Sequence, residues 1–219
     1  MKKTAVVFAA IIAAILGLTG IGTGAAQAAP TSAIGGGTPI MILKGGNSAA
    51  ACTVTTVGRS NGRLLALTAG HCGTVGQRVL LEKNQRRGII GTIARVDNNL
   101  DIAVISLDAS KVRGTSTVGK VTIRRISTQP PSFPATVCKQ GRTTGHTCGV
   151  VWGSDHRDHY SQMCVIEGDS GAPVVQGTTL VGMVNAYFFV SCAGPETGTN
   201  MASIVRRLGS WGYGGFRVV

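Results

Sequence analysis

Short apolar runs, each closed by turn-forming residues, succeed one another from residue 53 to residue 184, and no long amphipathic helix can be laid across them. The pattern is clearest at the start. Thr53-Val54-Thr55-Thr56-Val57 alternates and is β-branched, Asn61-Gly62 is a strong two-residue hairpin signal, and Leu64-Leu65-Ala66-Leu67-Thr68 follows as a second strand. Further short runs stand at 79–81, 89–96, 102–107, 136–138, 149–152, 173–175 and 180–184. Many short strands at such spacing predict an all-β barrel or sandwich. The 32 glycines and a charged fraction of only 14% suit strands joined by tight turns. One helix is expected, at 201–208, where Met201, Ile204, Val205 and Leu208 share a face, with Asn200 capping its start and Gly209 its end. A boundary between two halves falls near the polar stretch 111–120, and Gln129-Pro130-Pro131-Ser132-Phe133-Pro134 reads as a surface loop.

The first 28 residues stand apart. A basic Met1-Lys2-Lys3, an apolar run to about Leu18 and Ala26-Gln27-Ala28 have the anatomy of a secretory leader cleaved after Ala28. The run is shorter than the ~20 apolar residues a spanning helix needs, and no later segment meets that length, so no transmembrane anchor is expected. Residues 29–33 leave room only for a very short pro-segment. An exported chain with an even number of cysteines (Cys52, Cys72, Cys138, Cys148, Cys164, Cys192) is expected to pair them, although spacing alone leaves all connectivities open. The metal reading would rest on His71-Cys72 and His146-Thr147-Cys148. No Cys-x-x-Cys pair supports it, and no metal or cofactor is expected.

With Lys2 and Lys3 set aside, 19 basic residues face 9 acidic ones, a balance of +10. The basic residues are scattered, aromatics are few, and no nucleic-acid-binding motif is present. The charge therefore predicts a solvated basic surface that can be held near anionic cell-wall polymers by unspecific attraction, rather than a specific nucleic-acid site. A monomer is expected.

Chemistry is suggested by Gly168-Asp169-Ser170-Gly171-Ala172-Pro173. Taken alone it is a turn. A serine becomes a nucleophile only with a base to take its proton and an acid to orient that base. Two other segments offer them: Leu67-Thr68-Ala69-Gly70-His71-Cys72 ends one strand, and Asn99-Leu100-Asp101-Ile102-Ala103 enters another. Asp108 is the rival acid. His146, His156 and His159 lie in polar sequence and read as surface residues. The order His71, Asp101, Ser170 is that of the chymotrypsin-type arrangement.

These three segments resemble those of chymotrypsin-like serine proteases, and most closely the secreted actinobacterial streptogrisin and α-lytic protease kind. The run Val137-Cys138-Lys139-Gln140-Gly141-Arg142-Thr143-Thr144-Gly145-His146-Thr147-Cys148-Gly149 is similar to a disulfide loop of that branch. The resemblance spans about residues 34 to 219. It implies two packed antiparallel six-stranded β-barrels with a short C-terminal helix. The first would occupy 34–117 and carry His71 and Asp101; the second would occupy 118–219 and carry Ser170 and the specificity pocket. It implies disulfides Cys52–Cys72, Cys138–Cys148 and Cys164–Cys192, an oxyanion hole from the Gly168 and Ser170 amides, and hydrolysis of protein or peptide substrates by a secreted endopeptidase through an acyl-enzyme. The alternative is a non-catalytic binding protein on the same scaffold, which predicts salt-sensitive binding without turnover.

Three places depart from the family. Ala172 stands where glycine is usual. Asp169 needs a cation. The animal branch supplies a freed N-terminus, which Ile34-Gly35-Gly36-Gly37 faintly resembles, whereas the bacterial branch uses an internal base, here Lys139 or Arg142. Asn185-Ala186-Tyr187 stands where Ser-Gly-Gly is usual, so Tyr187 would fill the pocket and favour small side chains, while Glu196 in the pocket wall would instead accept Lys or Arg.

Overall fold

The computed structural model describes residues 31–219, so the leader expected at 1–28 and the start of the short pro-segment expected at 29–33 lie outside the described residues. In the first half, seven strands form one antiparallel sheet: β1 (Pro39–Gly45), β2 (Ser48–Thr53), β3 (Thr56–Ser60), β4 (Arg63–Ala69), β5 (Arg78–Leu81), β6 (Ile89–Asp97) and β7 (Ile102–Leu107). The pairing order is β3-β4-β7-β6-β5-β1-β2. Strands β2 and β3 are two arms of one bent chain, separated only by Val54 and Thr55. At that corner the Val54 amide donates to Thr38 at 2.9 Å and the Thr55 amide to Leu67 at 2.8 Å, so the bend joins the two edges of the sheet. Counting the arms as one strand makes this a six-stranded barrel.

The second half closes by hydrogen bonds alone. Strands β8 (Thr136–Gly141), β9 (Gly145–Ser154), β10 (Asp158–Ser161), β11 (Pro173–Gln176), β12 (Thr179–Tyr187) and β13 (Glu196–Asn200) pair in the ring β12-β11-β8-β9-β10-β13, and β13 pairs back onto β12. Inward and outward residues alternate as the pleat requires: in β8, Val137, Lys139 and Gly141 point in. Asn61 and Gly62, with φ of 49° and 75°, form the two-residue turn between β3 and β4, whose twist matches the strands it joins.

The chain is therefore all-β with a double-barrel architecture. The end of the chain crosses from one half to the other. Arg217–Val218 leaves the second half and pairs with Gly58 and Arg59 at the edge of β3, and Tyr213 and Phe216 join the core that lines the first barrel. The helix α1 (Met201–Ser210) is one turn-fraction longer than expected. Asn200 precedes it but makes no side-chain capping bond; its Nδ2 donates to the carbonyls of Asp155 and Asp158. Gly209 lies inside the helix, and Trp211 follows its last residue.

The Ile34-Gly35-Gly36-Gly37 segment is not a free terminus. Ser32–Ile34 pairs in parallel with Val112–Gly114, Ile34 is fully enclosed, and a Cβ at Gly36 would sit 2.5 Å from the Thr55 carbonyl oxygen. His159, read as a surface residue, is also fully enclosed, its ring packed where side chains at Gly182 and Gly198 would otherwise be. No helix among the described residues is long and apolar enough to cross a membrane.

Candidate active site between the barrels

Strand β4 ends in a single 3-10 turn, Gly70–Cys72, which lifts His71 out of the sheet. The turn lies against the loop entering β7. The Gly70 amide donates to the Asp101 carbonyl at 2.8 Å, and a Cβ at Gly70 would come within 3.0 Å of the Asp101 carbonyl carbon, so only glycine fits. The Cys52–Cys72 disulfide ties the turn to β2. Asp101 adopts φ of 48°, a left-handed conformation that aspartate tolerates better than most residues. The His71 backbone amide donates to Asp101 Oδ1 at 2.7 Å, and the His71 ring places Nδ1 2.8 Å from Asp101 Oδ2. An ionised carboxylate can only accept, so Nδ1 carries the proton and Nε2 is left as an acceptor. Ser170 Oγ, from the second barrel, lies 2.8 Å from that Nε2. The arrangement can pass a hydroxyl proton to an imidazole whose other nitrogen is already held. Asp108 lies away from this cluster and bonds Ser110, whose side chain holds its carboxyl below the usual range.

Asn185, expected in the pocket wall, lines the cavity beside Ser170, and its side chain also reaches Asp101. Its Nδ2 donates to Asp101 Oδ2 at 2.7 Å and to the Asp101 carbonyl at 2.9 Å, while its Oδ1 accepts the Thr199 amide at 2.7 Å. A second-barrel residue thus anchors a first-barrel carboxylate. The one hint in the sequence is that Asn185 stands where related segments carry serine, another short polar side chain.

Asp169 is fully buried and accepts from the amides of Thr143 and Thr144 and from the Thr144 hydroxyl, at 2.9, 3.1 and 2.6 Å. Its cation is Lys139, equally buried, with Nζ 3.4 Å from Oδ2. Burial lowers the Lys139 pKa, and the Asp169 charge opposes that shift. Arg142, the other candidate, points across the barrel interface to Glu82, with Nε 2.9 Å from both carboxylate oxygens. Asp169 in turn fixes the Ser170 turn: its amide donates to Ile166 and its carbonyl accepts the Ala172 amide. Gly168, at φ of 94°, carries the turn's left-handed residue. The Gly168 carbonyl accepts the Thr53 hydroxyl at 2.8 Å and the Ser170 carbonyl accepts the Thr53 amide at 2.9 Å, so the first barrel holds the loop as well. Ala172 is fully enclosed against the second core cluster, so its methyl fills core space and does not face the cleft.

Beside Ser170 lies a cavity of about 210 Å³ walled by Val165, Ile166, Glu167, Asn185, Ala186 and Tyr187. Tyr187 Oη donates to Glu167 Oε1 at 2.8 Å, a brace from one wall to the other. The Glu167 backbone amide, and after it this bond, lower the Glu167 pKa, and the bond raises the Tyr187 pKa. Glu196 does not line this cavity. It is wholly buried, accepts the Ser161 hydroxyl at 2.6 Å and lies 3.4 Å from His159 Nε2. The cysteines pair as Cys52–Cys72, Cys138–Cys148 and Cys164–Cys192, which uses both thiols of the Cys138, His146, Cys148 group that could otherwise have gathered around a metal.

Comparison with known proteins identifies the family and the fold. The Trypsin family model matches residues 36–211. Among solved structures, Thermobifida fusca protease A is 24% identical with a TM-score of 0.67, the match covering 86% of this chain and 99% of that one. Nocardiopsis protease is also 24% identical, with a TM-score of 0.67 and coverage of 85% and 99%. The α-lytic protease homologue N4 is 22% identical, with a TM-score of 0.66 and coverage of 85% and 99%. At these identities the structures establish the shared double-barrel fold, and the family match extends over most of the chain. This chain belongs to the trypsin family and is a serine-type endopeptidase.

Proposed function

We propose that the protein is a secreted endopeptidase that cleaves peptide bonds by an acyl-enzyme route with Ser170 as nucleophile, His71 as base and Asp101 as its orienting acid. The observation that carries this is the unbroken contact from Ser170 Oγ to His71 Nε2 and from His71 Nδ1 to Asp101, both 2.8 Å. As Oγ attacks the scissile carbonyl carbon, its proton moves to Nε2. The imidazolium formed is stabilised by Asp101 and then gives that proton to the leaving amine. Water repeats the sequence in reverse roles to free the acid product and Ser170. The amides of Gly168 and Ser170 receive the negative oxygen, where fixed donors act most strongly. Three disulfides are in keeping with an oxidising compartment outside the cytoplasm.

For specificity, the small cavity and the Tyr187–Glu167 brace support a preference for small apolar side chains on the acyl side of the cleaved bond. Buried Glu196 offers no charge to a Lys or Arg side chain. A fluorophosphonate should label Ser170, and Ser170→Ala should abolish labelling and hydrolysis together. A mature protein that neither labels nor cleaves any member of a diverse peptide library would end this reading. In the same library, Tyr187→Gly should move the preference toward larger side chains.

A further inference from the structure

The Gly168 amide can serve the oxyanion only if its peptide plane faces the right way. In a trans peptide the Glu167 carbonyl and the Gly168 amide point in opposite directions. Turning that plane over would put a carbonyl oxygen where the donor should be, and a left-handed glycine offers little resistance to such a turn. Something must therefore hold the Glu167 carbonyl on the far side. Thr143 does so: its hydroxyl donates to the Glu167 carbonyl at 2.7 Å. We infer that Thr143 is a positioning residue for the oxyanion hole, selecting the Glu167–Gly168 peptide orientation that leaves the Gly168 amide free for substrate. This rests on the endopeptidase reading above and deepens it.

Two further features aim the Thr143 hydroxyl. Its backbone amide donates to Asp169 Oδ1 at 2.9 Å, which sets the residue beside the loop. Arg142 Nη1 lies 3.3 Å from the Thr143 hydroxyl oxygen and donates to it, leaving the hydroxyl's single proton for the Glu167 carbonyl. Arg142 is itself gripped by Glu82, which belongs to the 3-10 segment Glu82–Arg87 of the first barrel. The chain Glu82, Arg142, Thr143, Glu167 carbonyl thus crosses from one barrel to the other and ends at the oxyanion hole, so docking of the barrels is felt there. The fit also requires glycine at 168, since a Cβ would lie 2.5 Å from Thr143 Oγ1 and 2.9 Å from Arg142 Nη1.

The test compares the wild-type protein with Thr143→Val, Thr143→Ser and Glu82→Gln on a peptide amide chosen from the library. Thr143→Val keeps the shape and loses the hydroxyl. It should lower kcat about tenfold or more, short of the roughly 10²–10³-fold cost of deleting an oxyanion donor outright, with KM nearly unchanged. Affinity for a peptide boronic acid, which mimics the tetrahedral intermediate, should fall in parallel. Thr143→Ser should restore both. Glu82→Gln, acting from the far end, should lower kcat in the same direction by less, and it carries the test if Thr143→Val fails to fold. A Thr143→Val enzyme with wild-type kcat, or a loss that serine does not restore, would overturn the inference while leaving the endopeptidase reading intact. A wild-type protein that cleaves nothing would sink both.

Discussion

In the first barrel the enclosed polar side chains are hydroxyls: Thr53, Thr55, Thr56, Ser60 and Thr68. In the second they include Lys139, His159, Asp169 and Glu196, all without solvent exposure. A buried hydroxyl needs little, and nearby carbonyls supply it, as Thr68 bonds Thr53 and Thr55 bonds Gly171. A buried charge costs several kcal/mol and persists only where a partner offsets it. The second barrel carries that cost beneath the loop that holds Gly168 and Ser170. The contrast suggests a division of labour. The first barrel is an apolar frame that holds out His71 and Asp101 on its loops. The second builds its site from the inside, using Lys139 and Asp169 to fix a turn that an apolar core would leave free to choose among shapes.

The sharpest way to break this comparison is to strand one charge. Lys139→Met leaves Asp169 buried without its cation and should cost about 3–5 kcal/mol in denaturant unfolding, with hydrolysis falling because the Ser170 turn relaxes. A first-barrel counterpart, Ile105→Val, should cost only about 0.5–1.5 kcal/mol and leave kcat as it is. If Lys139→Met unfolds within about 1 kcal/mol of wild type and still cleaves, the second barrel's charges do not do what is claimed for them.

Next in size is the tie between the barrels at Asp101. Asn185→Ala removes two donors from Asp101. A hydrogen bond to a charged group is worth about 1.5–3 kcal/mol, so kcat/KM should drop about ten- to a hundredfold. An unchanged kcat/KM would mean that the first barrel holds its acid unaided.

Glu196→Gln separates interior from pocket. It keeps the shape beside Ser161 but leaves His159 with a weaker partner, and should cost about 1–3 kcal/mol in unfolding. The side-chain preference in a peptide library should not move. A shift in preference at basic residues would return Glu196 to the pocket wall.

Much of the fold was legible because β structure announces itself locally. The Asn61-Gly62 turn and the run 64–68 each involve a few adjacent residues, and the structure has them in the β3–β4 hairpin. The run 53–57 is instead a corner: it bends at Val54-Thr55 between β2 and β3 and is buried throughout, so it is not one alternating strand. His71, Asp101 and Ser170 could be picked out because each sits in a distinctive run of neighbours. What stayed hidden depends on contacts between distant residues. Nothing in Asp158-His159-Tyr160 says that the histidine faces inward, because the strand is short and the space for its ring comes from Gly182 and Gly198. The choice between Lys139 and Arg142 turns on strand parity: in β8 residue 139 points in, while Arg142 lies past the strand's end and reaches Glu82. The helix starts at Met201 as expected, but Asn200 makes no capping bond, its Nδ2 donating to the turn at Asp155 and Asp158, and the helix runs through Gly209 to Ser210.

The smallest effect compares the barrels at their surfaces. Asp108, at the end of β7, is held below its usual pKa by the Ser110 side chain and amide. Asp155, in the turn between β9 and β10, is held below its own by the amides of Asp158 and Arg157. For a carboxyl whose folded pKa is depressed, the unfolded chain binds more protons as the pH drops. The stabilisation is therefore complete above the ordinary value of 3.8 and is lost as the pH falls through the lower folded values. The melting temperature should be level from neutrality to about pH 5 and then decline. Asp108→Asn and Asp155→Asn should each make that acid decline shallower, and by similar small amounts, because both groups are exposed and bonded to local donors rather than to the interior. If one substitution flattens the curve and the other does nothing, the acid sensitivity belongs to one barrel, and the contrast between the two would extend from their interiors to their surfaces.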